Sequence, residues 1–90
     1  MDEFGIAAFR SRQQVMKFEE VLRREGLNVR VISTPRDVAL GCGLSVQFHA
    51  RDIKAVQNAL SRLKPVNLIG VYLVGRNGEK SRLVAVSKRS

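Results

Sequence analysis

The stretch LSVQFH, Leu44–His49, alternates apolar with polar side chains. Strict alternation over six residues predicts a β-strand with one face buried, and here the buried face would carry Leu44, Val46 and Phe48. The residues that follow, 53–63, repeat apolar side chains at three- and four-residue steps, with Asp52 before them and Pro65 after them. That pattern predicts a helix packed against the strand.

Upstream of this pair, the chain predicts a strand, a helix and a second strand. Residues 4–9 form a short apolar run of strand length. Ser11 with Gln14 three residues later makes a capping box, and Gly26 offers a left-handed stop, so we expect a helix over about residues 12–25. Residues 29–33 are rich in β-branched side chains and predict a strand that ends at Thr34-Pro35.

Downstream, residues 66–75 predict a long strand, and Asn77-Gly78 is the strongest short signal for a hairpin into a strand over residues 81–86. The resulting order is β-α-β-β-α-β with an extra C-terminal strand. We therefore predict an α+β fold of ferredoxin-like arrangement, an antiparallel sheet with two helices on one face.

Length and charge set broad limits. The 90 residues, 44% hydrophobic and 27% charged, have the composition of a folded chain, and we expect one domain over residues 1–90. No apolar run approaches the roughly 20 residues of a membrane span, and no signal peptide is evident, so we expect a cytoplasmic protein. Sixteen Lys and Arg against eight Asp and Glu give a net charge of +8, which favours anionic partners.

The one cysteine, Cys42, is the chemically distinctive residue. In the predicted topology the start of the third strand lies beside the end of the first, so Cys42 would face residues 9–11 and the N-terminus of the first helix. Unpaired N–H groups there favour an anion such as a thiolate. With Arg10, Arg12 and Arg36 nearby, we expect the pKa of the Cys42 thiol to lie below that of a free thiol.

Glycines flank this cysteine. Gly41 would end a short helical turn with positive φ, and Gly43 would let the backbone pass close to a neighbour, leaving the thiol unobstructed. Cys42 also shares parity with the inward Leu44, so a small buried hydrophobe remains the alternative.

The sequence lacks the residues that a Cys–His pair, a zinc site, a nucleotide-binding loop or an RNA-binding sheet would need. His49 lies seven positions from Cys42, roughly 20 Å along an extended strand, which argues against a Cys–His pair. One cysteine and one histidine cannot complete a zinc site, and no nucleotide-binding glycine motif occurs, so no cofactor is expected. The strands lack the aromatic pattern with which RNA-recognition modules stack bases, which argues against a nucleic-acid partner.

Two separated triplets, TPR at residues 34–36 and CGL at residues 42–44, follow the FRS element of residues 9–11 and the helix that ends before Gly26. In these features, over roughly residues 5–48, the chain resembles the small bacterial proteins of the selenium/sulfur carrier-like family. It departs from them at residues 38–41, where serines are common in the family.

The resemblance implies a carrier, rather than a turnover enzyme, in which Cys42 bears sulfur or selenium as a persulfide or perselenide. Its partners would be sulfur or selenium donor and acceptor proteins. The predicted anion-binding set around the thiol comprises Arg10, Ser11, Thr34, Arg36, Gly41 and Gly43.

A regulatory or interaction module is the alternative. Ile69, Val71 and Leu73 could lie on the sheet face away from the helices and pair two subunits. The resulting homodimer would bind a small anion or an acidic partner.

Overall fold

The computed structural model describes residues 3–34, 43–65, 67–75 and 80–83, the last four for their backbone alone. The predicted α+β class, with an antiparallel sheet and two helices, is confirmed. In chain order the elements are β1 (Phe4–Phe9), α1 (Arg12–Arg24), β2 (Arg30–Ser33), β3 (Leu44–His49), a 3₁₀ turn (Ala50–Asp52), α2 (Ile53–Leu63), β4 (Leu68–Val74) and β5 (Lys80–Leu83).

The sheet has the order β2-β3-β1-β4-β5, and each neighbouring pair is antiparallel. β1 lies at the centre, between β3 and β4. Its register with β3 runs from Phe4 opposite His49 to Phe9 opposite Leu44. The predicted Asn77-Gly78 turn between β4 and β5 lies outside the described residues.

The helices begin and end at the predicted signals. The Ser11 side chain caps α1 by accepting a hydrogen bond from the Gln14 N–H at 3.4 Å, and Gly26 follows the helix with φ of 87°. α2 ends where Lys64 adopts a left-handed conformation, with Pro65 next. Among the described residues, no helix has both the length and the apolar character that crossing a membrane requires.

One cluster of buried side chains joins both helices to the three inner strands. Its members are Ala7, Phe9, Val15, Phe18, Leu22, Val29, Val46, Phe48, Val56, Ala59, Leu60 and Val71. The rings of Phe9 and Phe18 lie with centroids 5.4 Å apart, within the range in which aromatic pairs attract beyond simple area burial. This contact packs α1 against the end of β1.

The sequence placed Val71 on the open face of the sheet, and that prediction is wrong. Val71 is 1% exposed and belongs to the same cluster as the helix residues; its partner across the sheet is Ala7. β4 is almost continuously apolar, so no alternation marks its faces, and a register shift at Ala8 and Phe9 interrupts its pairing with β1. Leu73 lies two residues after Val71 and therefore on the same face of β4. The proposed dimer face thus loses both residues.

The opposite face of β1 is not open either. Ile6 and Ala8 point away from Ala7 and Phe9, yet all four side chains are 0% exposed. β1 is thus buried on both faces, which removes the premise of a homodimer formed through an open sheet face at its central strand.

Gly5 permits a close contact in the middle of the sheet. It pairs with Phe48 on β3, and a Cβ added at Gly5 would overlap two atoms of the Phe48 ring. The ring therefore occupies the space that any other residue at position 5 would need.

Gly5→Ala is expected to lower the free energy of unfolding by about 1–3 kcal/mol, the usual cost of overpacking. Phe48→Leu removes the ring, so the double variant should be more stable than the sum of the two single effects predicts. Urea unfolding followed by circular dichroism measures all three. Strictly additive effects would contradict the contact.

Candidate functional site

The candidate site is built on the corner where β1 ends and β3 begins. Phe9, the last residue of β1, pairs with Leu44, the first of β3. The prediction that these two strand ends lie side by side is confirmed. The N-terminus of α1 and the end of β2, which pairs Ser33 with Leu44, belong to the same corner.

Gly43, just before β3, lies close to Phe9 at the end of β1 and to Thr34 just after β2. Its carbonyl oxygen accepts a hydrogen bond from the Thr34 N–H at 3.0 Å. A Cβ at Gly43 would lie 3.2 Å from Thr34 Oγ1 and 3.3 Å from the Phe9 carbonyl oxygen. Both separations are tighter than a side chain comfortably accepts, and the Phe9 oxygen belongs to a central strand. The prediction that Gly43 lets the backbone pass close to a neighbour is confirmed.

A buried hydroxyl pair supports this corner from the sheet side. Thr34 Oγ1 and Ser45 Oγ lie 2.6 Å apart, and the residues are 7% and 0% exposed. One hydroxyl donates to the other, and this hydrogen bond avoids the free-energy cost of a buried polar group without a partner. Sequence reasoning missed Ser45, because its place among the polar positions of an alternating strand suggested the solvent side.

The head of α1 contributes positive charge to the corner. The first turn of α1 contains no acidic residue, and Arg10 and Arg12 are exposed beside it. The Arg10 N–H donates to the carbonyl oxygen of Asn67, the residue before β4, at 2.8 Å. Cations at a helix N-terminus add to the positive end of the helix dipole instead of neutralising it.

The acidic side chains of α1, and that of Glu25 just after the helix, form ion pairs near the C-terminal end of α1. Glu19 binds Arg23 and Glu20 binds Arg24, each one turn along the helix, and Glu25 binds Arg62 of α2. In the described part of the chain, no ion pair involves Arg10 or Arg12. Within the described residues, Arg10 and Arg12 at the corner therefore carry positive charge that no carboxylate pairs with.

The structure brings together four of the seven predicted site residues: Arg10, Ser11, Thr34 and Gly43. Arg36, Gly41 and Cys42 lie outside the described residues. The Ser11 side chain caps α1, and the Thr34 hydroxyl pairs with that of Ser45. Both side chains therefore help to hold the backbone of the corner in place.

His49 lies at the far end of β3, opposite Phe4. It lies five positions after Leu44 along the strand, a Cα–Cα distance of roughly 17 Å. Within the described ranges, no group of three His, Cys, Asp or Glu side chains could hold a metal ion.

Replacing Thr34 with Val should lower the free energy of unfolding by about 1–3 kcal/mol, because Ser45 Oγ is left buried without a partner. Thr34→Ser keeps the hydroxyl and is the matched control, with a smaller expected loss. Adding Ser45→Ala to Thr34→Val should restore part of the stability. Chemical denaturation tests the pair; a double variant as weak as the sum of its parts would show that the hydroxyls do not depend on each other.

No curated protein matches the chain. A family profile described as "Putative Se/S carrier protein-like" matches residues 4–72, which include every strand and helix that forms the corner and exclude β5. A match over this share of the chain shows that the protein belongs to the Se/S carrier protein-like family.

Proposed function

We propose that the protein carries sulfur or selenium on Cys42 as a persulfide or perselenide. The observation that carries the proposal is the corner at Gly43, the residue after Cys42 in the chain, where Arg10 and the head of α1, whose first turn contains no acidic residue, meet the start of β3. An environment of this kind favours a thiolate, which is the reactive form of cysteine. The family to which the chain belongs supports the choice of cargo.

The proposed chemistry is transfer of one neutral chalcogen atom. The Cys42 thiolate attacks the outer sulfur of a donor persulfide; the donor's sulfur–sulfur bond breaks and the donor leaves as a thiolate. Attack by an acceptor thiolate on the outer sulfur of the Cys42 persulfide then regenerates the Cys42 thiolate. Each step forms one bond and breaks one, and no external oxidant or reductant is needed.

Arg10, and Arg36 as the sequence places it, would stabilise the anionic persulfide through their charge, and Gly41 and Gly43 would leave the thiol accessible. Thr34 and Ser11 would act by holding the β2 end and the α1 head in place. The strand order β2-β3-β1-β4 supports assigning the domain, taken as residues 1–90, to the ferredoxin-like arrangement with β5 as an extension. Partners would be the donor and acceptor proteins of the cytoplasm.

The alternative, a dimeric module joined through β4, has lost its main support because Val71 is buried in the helix-side core. No described contact favours it over the carrier.

Sulfur loading from inorganic polysulfide, followed by intact-mass spectrometry, tests the proposal. The native chain should gain one sulfur atom faster than the same chain in urea, since only the folded state assembles the positive corner. Arg10→Gln should slow loading roughly two- to fivefold, the range of a surface charge interaction. Lys54→Gln, which removes an exposed charge from the first turn of α2, is the matched control and should load normally.

Because Cys42 is the only cysteine, Cys42→Ser serves solely as the blank. Equal loading rates in the folded and unfolded chains, or equal slowing by Arg10→Gln and Lys54→Gln, would overturn the proposal.

A further inference from the structure

We propose that a groove between α1 and the end of α2 is a docking site for an acidic segment of a partner protein, which inserts one apolar side chain. The groove has a volume of about 180 Å³ and is lined by Gln14, Lys17, Phe18, Leu63, Lys64 and Pro65. Small-molecule sites usually measure roughly 300–1,000 Å³. The groove therefore fits a side chain from a partner better than a cofactor.

Three of the six residues that line the groove are apolar, and one of these is exposed. Phe18 is 2% exposed and belongs to the core, but Leu63 is 39% exposed although the periodicity of α2 assigned it to the buried face. With Pro65 beside it, Leu63 offers apolar surface that the chain itself leaves in water. Burying such surface against a partner's side chain would be favourable.

The rim of the groove is cationic. Lys17 and Lys64 are exposed, and neither takes part in an ion pair within the described residues. Among the described residues that line the groove, none is acidic. Its exposed apolar surface and its two lysines together are complementary to a carboxylate-rich segment with an apolar residue at its centre.

The backbone at Lys64 gives a second reason to assign this surface a role. Lys64 has φ of 48° and ψ of 57°, and its N–H closes α2 by donating to the Leu60 carbonyl oxygen at 2.8 Å. This left-handed conformation is unfavourable for a non-glycine residue, and helices commonly place glycine there. Folding alone would favour glycine, so the lysine side chain fits a function at the rim.

The groove adjoins the candidate corner. Gln14 is the residue whose N–H bonds the Ser11 cap, and Pro65 lies two residues before Asn67, whose carbonyl oxygen holds the Arg10 N–H. If the proposed function holds, a segment docked here belongs to the chalcogen donor or acceptor, and that identification alone rests on the proposed function. Affinity of the groove for an acidic segment does not depend on it.

Titration of the ¹⁵N-labelled full chain with a blocked synthetic peptide, Glu-Glu-Leu-Glu-Glu, tests the site by NMR. Amide shifts should concentrate at Lys17, Phe18, Leu63 and Lys64 and should weaken as salt is raised. Lys64→Gly should bind the peptide roughly two- to fivefold more weakly, while its stability equals or exceeds that of the native chain. Lys17→Gln should weaken binding by a similar factor, and Lys54→Gln should not.

Three results would overturn the docking site: shifts centred elsewhere on the chain, equal binding of a peptide with serine in place of leucine, or stronger shifts at the same residues from a short single-stranded oligonucleotide. Cys42→Ser should bind the peptide normally. A native chain that binds the peptide but gains no sulfur would defeat the carrier proposal alone, whereas a native chain that gains sulfur but does not bind the peptide would defeat only the docking site.

Discussion

The antiparallel register of β1 on β3 is the constraint on which the rest of the structure depends. It sets the Phe48 ring over Gly5 at one end and Phe9 beside Leu44 at the other. Because β1 is buried on both faces, a shift of one residue would exchange all of its side chains between two packed environments. The same register places Gly43 against the Phe9 carbonyl oxygen. It also places Gly43 near the start of α1, which begins three residues after Phe9. The core and the candidate site are therefore fixed by one set of strand contacts.

Charge is distributed unevenly over this framework, and the imbalance connects the site to the groove. The carboxylates of Glu19 and Glu20 pair with arginines in the last turn of α1, and that of Glu25 pairs with Arg62 of α2. Such exposed pairs contribute little to stability, but they confine the unmatched positive charge of α1 to its first turns. An anionic persulfide and an acidic partner segment would both be attracted to that end of the molecule. The placement of the charges thus favours one side of the protein for chemistry and for docking.

The sequence predicted the parts of the fold that depend on local pattern. The strand at residues 44–49, the Ser11 cap and the Gly26 stop depend only on residues close together in the sequence, and the structure has each of them at the expected position. The wrong or missed residues depend on contacts between distant segments: Val71 lies in an apolar strand without alternation, and Ser45 is buried because of its hydroxyl partner. The approach of Gly43 to Phe9 could be anticipated because strand order alone implies it, whereas the periodicity of α2 did not predict that Leu63 is partly exposed.

Alkylation of the thiol as a function of pH, in the native chain and in urea, measures the central claim most directly. Because Cys42 is the only cysteine, labelling by iodoacetamide reports that thiol without further mutation, and the thiolate is the species that reacts. We expect the native chain to reach half-maximal rate at a lower pH than the unfolded chain, and Arg10→Gln to reduce the difference while Lys54→Gln leaves it unchanged. A native thiol that resists labelling at every pH, or that titrates at or above the pH of the unfolded chain, would contradict a reactive, anion-favouring corner.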